Sequence, residues 1–134
     1  MQGRRQKNLV LILAREFASQ LATPMFVTDA VGDLVFYNEP AEMLLGRTFA
    51  EAGELPASEW PELFQIERLD GSPMPLDEMP GGVALLERRE AHATLRFTSL
   101  DGVTRTVAVT AVPLFAREEQ LVGVVVVFWE QPGA

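Results

Sequence analysis

The sequence predicts an α+β fold: a five-stranded antiparallel sheet in the order 2-1-5-4-3, with short helices on one face and an N-terminal amphipathic helix on the other. Three observations predict it. The stretch FVTDAVGDLVFYNEPAEMLLG, Phe26 to Gly46, reads as strand, tight turn, strand and capped helix. The chain from Ala91 onward alternates apolar and polar residues with the period of two that a half-buried strand requires. The last such segment, Leu121 to Trp129, is apolar on both faces, which places it in the middle of the sheet. With two strands first, short helices between and three strands last, the helices carry the chain from one sheet edge to the other. The last strand then pairs beside the first.

Composition sets the bounds. A chain of 134 residues is one domain's worth and buries about two-thirds of its unfolded surface. It is 48% hydrophobic and 22% charged, the balance of a globular fold rather than a disordered one. The net charge of −8 argues against nucleic acid as a partner, because phosphate backbones need a basic stripe. The only basic cluster is Arg4, Arg5 and Lys7, at an end expected to fray. There is no cysteine, which removes disulfides, thiolate nucleophiles, thiolate metal sites and cysteine-linked chromophores. The apolar run Leu9 to Ala14 stops at Arg15, too short to export or span a membrane. No membrane partner and a cytoplasmic location are expected.

From Asn8 to Leu21 no Pro or Gly interrupts a helix, and Val10, Leu13, Ala14, Phe17 and Leu21 fall on one stripe expected to pack on the sheet. Leu9, Leu11 and Ile12 make its first turns apolar all round, so two surfaces should cover it. The second is assigned to a partner copy, with Leu9, Leu11, Ile12 and Leu13 as the dimer interface. Leu13 is thereby counted on both surfaces. Thr23 and Pro24 end the helix. The expected organisation is a dimerisation helix at 1–22, a domain at 23–130 and a tail at 131–134.

Within the domain, Met25 to Thr28 and Leu34 to Tyr37 flank a turn built on Asp29, Gly32 and Asp33. Asn38 caps the next helix, Glu39 favours its positive end, Pro40 fits its first turn and Gly46 stops it. Met43, Leu44 and Leu45 are its expected apolar face. Pro56 and Pro61 break the following segment, and Trp60, Leu63 and Phe64 should turn inward on a brief helix. Asp70 to Pro75 is a loop. Asp77 is expected to cap a helix through Val83, Leu85 and Leu86, closed by Arg88 and Arg89. Ala91 to Thr98 is a strand, Asp101-Gly102 a turn, and Val107 to Ala111 a strand ending near Pro113. Arg117 to Gln120 is a hairpin loop before the last strand.

The ordered set Asp29, Gly32, Asn38 and Ala41 resembles the start of a PAS domain, a sensory and interaction module. Leu69-Asp70-Gly71-Ser72-Pro73-Met74-Pro75 with Pro80, then Asp101-Gly102, then Ala111-Val112-Pro113-Leu114 and Gly123, extend the resemblance to the variety found in bacterial sensor kinases and regulators. It covers roughly Ala18 to Glu130. The resemblance implies a small pocket between sheet and helices, dimers made through flanking helices, and signal reception rather than catalysis. Members that form a flavin adduct or hold a coumaroyl chromophore need a cysteine, which is absent here. Haem-binding members often use a histidine, and the sole candidate, His92, is in phase with Thr94, Arg96 and Thr98, which points it away from the pocket.

The expected pocket lining, from helix face and strand phase, is Phe36, Met43, Leu44, Trp60, Phe64, Val83, Leu86, Leu95, Phe97 and Val109. Met74 and Met79 are further candidates for its edge. No catalytic or metal-binding set is expected, because most acidic residues sit at turns, caps or exposed helix positions. Any ligand should be small and apolar, and neither haem nor covalent flavin. Three functional classes follow: a dimeric signalling module with a partner or effector protein, a purely structural dimerisation domain, and an isomerase-type enzyme using Asp29 or Glu42 as a buried base. A cavity of roughly 300 Å³ separates the first two. A carboxylate free of turn or cap contacts and buried in the cavity would favour the third.

Overall fold

The computed structural model describes residues 2–117 and 119–131, with side chains from residue 9 onward. The cluster Arg4, Arg5, Lys7 and residues 132–134 of the expected tail therefore lie outside the described side chains or residues.

Strands β1 (Met25–Asp29) and β2 (Leu34–Tyr37) form the first hairpin. The Asp29 carboxylate holds its turn, accepting from the amides of Val31 and Asp33 at 3.1 and 3.0 Å. Helix α2 (Glu39–Leu45) starts on Asn38, whose side chain accepts from the Ala41 amide, and stops on Gly46 at φ 85°. Helix α3 (Phe49–Ala52) carries a capping box made by Thr48 and Glu51. Helix α4 (Trp60–Leu63) turns Trp60 and the following Phe64 inward, whereas Leu63 stays partly exposed. A 3-10 turn, Leu76–Glu78, leads into α5 (Pro80–Glu87). Strands β3 (Ala91–Thr98), β4 (Thr104–Phe115) and β5 (Leu121–Glu130) complete one sheet, ordered β2-β1-β5-β4-β3. Each neighbouring pair is antiparallel.

The two faces of the sheet separate cleanly. Phe26 pairs with Val126, Val109 with Phe128 and Leu95 with Val107, and opposed residues share a face. These residues form the inner face, on which the short helices close a core containing Leu34, Tyr37, Leu45, Trp60, Phe64 and Met79. The outer face carries Met25, Val27, Gly123, Val125 and Val127, and α1 (Gln2–Ser19) packs across it. The side of β5 that bears Val122, Val124, Val126 and Phe128 is buried; the other is only partly covered, and Trp129 remains exposed.

Three expectations are corrected here. Helix α1 begins at Gln2 rather than Asn8 and is rotated: Leu9, Ile12, Leu13 and Phe17 are between 55% and 62% exposed, while Ala18 is fully buried. Leu13 and Phe17 thus leave the sheet-facing stripe, and Leu11 leaves the expected dimer interface. The reason is room for close approach. Leu11 Cδ2 lies 3.1 Å from where a Cβ on Gly123 would stand, so the hollow at Gly123 takes the leucine. At the other end Ala18 is small enough to let the helix backbone reach Asn38, whose Nδ2 donates to the Ala18 carbonyl at 2.9 Å. Second, Asp77 caps nothing: it lies within the 3-10 turn, and α5 starts after Met79 with no side-chain cap. Third, β4 runs through Pro113 to Phe115. Ala91 is the last β3 residue paired to β4, opposite Ala111, so beyond that point β4 borders only β5. Proline is tolerated there because its missing N–H falls on a free edge.

Candidate functional site

Between the inner sheet face and the short helices lies a cavity of about 60 Å³. The sheet contributes Phe26, Leu34, Leu95, Phe97, Val107, Val109, Val126 and Phe128. The other walls come from Leu45 at the end of α2, Trp60 and Phe64 around α4, Ile66, and Met79, Pro80 and Gly81 at the start of α5. Aromatic rings brace it: Phe26 meets Trp60 edge-on at 5.5 Å, and Phe97 meets Phe128 at 6.2 Å. The one polar atom that Trp60 carries is satisfied, its Nε1 donating to the Gly32 carbonyl at 3.0 Å. Every lining side chain is therefore apolar, and no acid, base or histidine lines the space.

Of the residues expected to line a pocket, Trp60, Phe64, Leu95, Phe97 and Val109 do so. Phe36, Met43, Leu44, Val83 and Leu86 do not. Phe36 is displaced by a bulge: Thr28 pairs with Leu34 but Val27 with Phe36, a register shift of one residue. Leu34 therefore faces the cavity while Phe36, two residues later, faces outward. There it packs edge-on to Phe49 at 5.4 Å, beneath the guanidinium of Arg15 at 4.8 Å. Met43 is 76% exposed and Leu86 63% exposed. Leu44 packs against the core away from the cavity, and Val83 is half-buried. On α5 the buried positions are the small residues Pro80, Gly82 and Ala84. The hydrogen side of Gly81 faces Val126 on the sheet, and that of Gly82 faces the Leu76 carbonyl of the preceding 3-10 turn. The bulkier Val83 and Leu86 stay half-buried and exposed, respectively. Met79 lines the cavity, whereas Met74 lines a separate surface groove with Ile66 and Pro73.

Sequence reasoning missed Phe26, Leu34, Leu45, Ile66, Pro80, Gly81, Val107, Val126 and Phe128 as lining residues. Strand phase carried the signal for most of them: Val107 and Phe128 share their faces with Val109 and Val126. Pro80 and Gly81 gave no such signal, since small residues in a helix's first turn read as punctuation.

The polar candidates stand elsewhere. Asp29 is engaged in its turn, and Glu42 Oε2 accepts from the Phe49 amide at 2.7 Å, joining α2 to α3. His92 sits on the exposed outer face, its Nδ1 2.9 Å from Thr110 Oγ1. Among the described residues no group of three His, Asp or Glu side chains is arranged to hold a metal ion, and no helix is long and apolar enough to cross a membrane. Tyr37 is buried beneath α3 and donates to the Arg47 carbonyl at 2.9 Å. Burial, reinforced by the nearby Glu42 carboxylate, pushes its phenol up to about 12. As a cradle the site suits a few-atom apolar molecule; it holds nothing that would polarise a bond or move a proton.

The chain matches no family model and no curated protein sequence. Its architecture is that of a PAS domain. It is similar to the PAS domain of a protein from Colwellia psychrerythraea, at 17% identity and a TM-score of 0.65, over 93% of this chain and 99% of that one. The PAS domain of Bordetella pertussis BvgS is similar at 19% identity and a TM-score of 0.61, over 90% and 84%. The Rhodobacter sphaeroides LOV protein gives a TM-score of 0.68 at 12% identity, over 94% of this chain and 69% of that one.

Proposed function

We propose that this chain is a non-catalytic sensory or protein-interaction module of signal transduction, acting in the cytoplasm, that dimerises through α1 and passes a change of state to a partner or effector protein. The observation that carries this reading is the second apolar stripe of α1. Leu9, Ile12, Leu13 and Phe17 follow helical spacing along one side and are exposed, although the opposite side of the same helix is already packed on the sheet. Each such side chain buried at an interface contributes roughly 1.5–3 kcal/mol before the entropic cost of association, and twofold symmetry repeats every contact. The PAS and LOV neighbours support the signalling role by likeness of fold.

A ligand-sensing version of the same reading rests on the cavity. At about 60 Å³ it falls well short of the roughly 300 Å³ of an ordinary small-molecule site. The interaction role is therefore the better supported, and a ligand would be a small apolar molecule. The non-catalytic reading is supported by the placement of Asp29 and Glu42, which bond to backbone amides outside the cavity lining.

The test is light scattering over a concentration series on the wild-type chain and on Ile12→Asp/Leu13→Asp and Phe17→Asp. Both variants should weaken the dimer at least about tenfold with an unchanged circular dichroism spectrum. A monomeric wild type would refute the assembly role, and a charged variant that dimerises as well as wild type would place the interface elsewhere.

A further inference from the structure

We infer that Asn38 is a latch: one carboxamide both anchors the end of α1 and caps α2, so that α1 cannot leave the sheet without loosening the helix that walls the cavity. Asn38 is 2% exposed. Its Oδ1 accepts from the backbone amides of Met25 at 3.0 Å and Ala41 at 3.1 Å. Its Nδ2 donates to the backbone carbonyls of Ala18 and Thr23, both at 2.9 Å. An Asn side chain offers two donor hydrogens and two acceptor lone pairs, so the group is saturated. The chemistry of the partners also fixes its orientation, since two can only donate and two can only accept.

The four partners belong to four parts of the fold: Ala18 to α1, Thr23 to the linker, Met25 to β1 and Ala41 to α2. If α1 moves away, Nδ2 keeps Thr23 but loses Ala18, and one of its two donor hydrogens is left without its protein acceptor. Rotating the amide plane toward a new acceptor withdraws Oδ1 from Ala41 and uncaps α2. Leu45, at the far end of that seven-residue helix, lines the cavity. Other ties of α1 lie outside the latch, among them Leu11 over Gly123, and Arg15 over Phe36 and Phe49. Leu11 and Phe36 tie the helix to the sheet and Phe49 ties it to α3. Neither Leu11 nor Arg15 contacts Asn38 through a hydrogen bond, and Phe49 reaches α2 only through the Glu42 carboxylate. Asn38 is thus the point at which displacement of α1 and loosening of α2 become one event. Its value for signalling rests on the proposal that α1 is the assembly helix; the coupling itself does not.

The experiment is hydrogen exchange on the full chain, read at residues 15–19 of α1 and at the Ala41 amide. Arg15→Ala and Leu11→Ala weaken α1 docking without touching the latch. Exchange should rise at the end of α1 and, in parallel, at Ala41. In Asn38→Ser the hydroxyl can still accept from Ala41 but is too short to reach Ala18 and Thr23. Here the end of α1 should exchange at least about tenfold faster while Ala41 stays protected, and adding Arg15→Ala should no longer affect Ala41. A rise in α1 exchange in Arg15→Ala or Leu11→Ala that Ala41 does not follow overturns the latch. So does Asn38→Ser with α1 exchange as slow as wild type. Should Asn38→Ser not fold, the first pair of variants decides alone. A monomeric wild type that still shows the coupled exchange would refute the assembly role and leave the latch standing.

Discussion

Gly82 shows what a single side chain can forbid. A Cβ at this position would stand 1.7 Å from the Leu76 carbonyl oxygen, because α5 begins hard against the 3-10 turn that precedes it. Both partners are backbone, so neither can swing aside. Gly82→Ala should lower stability by about 3 kcal/mol or more, read as a shifted midpoint in urea with an unchanged slope. Tyr37 gives a second prediction at this scale, made clean by its being the only tyrosine. Its folded-state pKa of about 12 lies above the ordinary value of about 10. The neutral phenol therefore contributes stability that is fully present below pH about 10 and is lost as pH rises through the folded value. In a spectrophotometric titration the tyrosinate band should be absent at pH about 10, then grow near 12 or together with unfolding. Tyrosinate appearing near pH 10 in protein that is still folded would contradict the burial of the ring.

At the scale of elements, the parts legible in the sequence were those fixed by local chemistry or by a long period. The Asp29 turn and the Asn38 cap each depend on one side chain meeting a backbone group within a few residues, and the Gly46 stop on a left-handed backbone that glycine adopts without a Cβ clash. The two-faced run Leu121 to Trp129 identified β5 as central, and the sheet order followed from it. What escaped depended on close approach between distant segments. Hydrophobic letters marked Val83 and Leu86 as the inward face of α5, but the buried positions are the small residues. They likewise set α1 on Leu13 and Phe17, whereas the sheet selects Leu11 and Ala18 because Gly123 and the Asn38 carboxamide leave room only for those contacts. The bulge after Leu34 had no marker in the sequence, and it alone reverses Phe36. These placements predict an asymmetry between adjacent residues of α1. Leu11→Asp should destabilise the fold by about 2 kcal/mol, seen in urea denaturation, whereas Ile12→Asp should leave stability within about 0.5 kcal/mol. Gly123→Ala should resemble Leu11→Asp, because its Cβ would meet the Thr28 carbonyl at 2.1 Å as well as Leu11.

Across the whole molecule the sheet separates two surfaces, and each carries one of the two tryptophans. Trp60 is buried against the inner cavity with its indole nitrogen bonded to Gly32. Trp129 lies on the outer face opposite Ala108 and is 44% exposed. Single-tryptophan variants therefore report on the two surfaces separately. In Trp60→Phe the remaining Trp129 shares the outer face with α1. If assembly extends from the Leu9, Ile12, Leu13 and Phe17 stripe across that face, dilution should shift Trp129 emission to the red and open it to iodide quenching over the concentrations at which light scattering shows dissociation. In Trp129→Phe the remaining Trp60 should ignore dilution and iodide alike but respond to xenon, a small apolar probe that a dry apolar cavity can admit. Dissociation without any change at Trp129 would confine the interface to α1. A Trp60 signal that xenon leaves unchanged would show the cavity to be closed packing space.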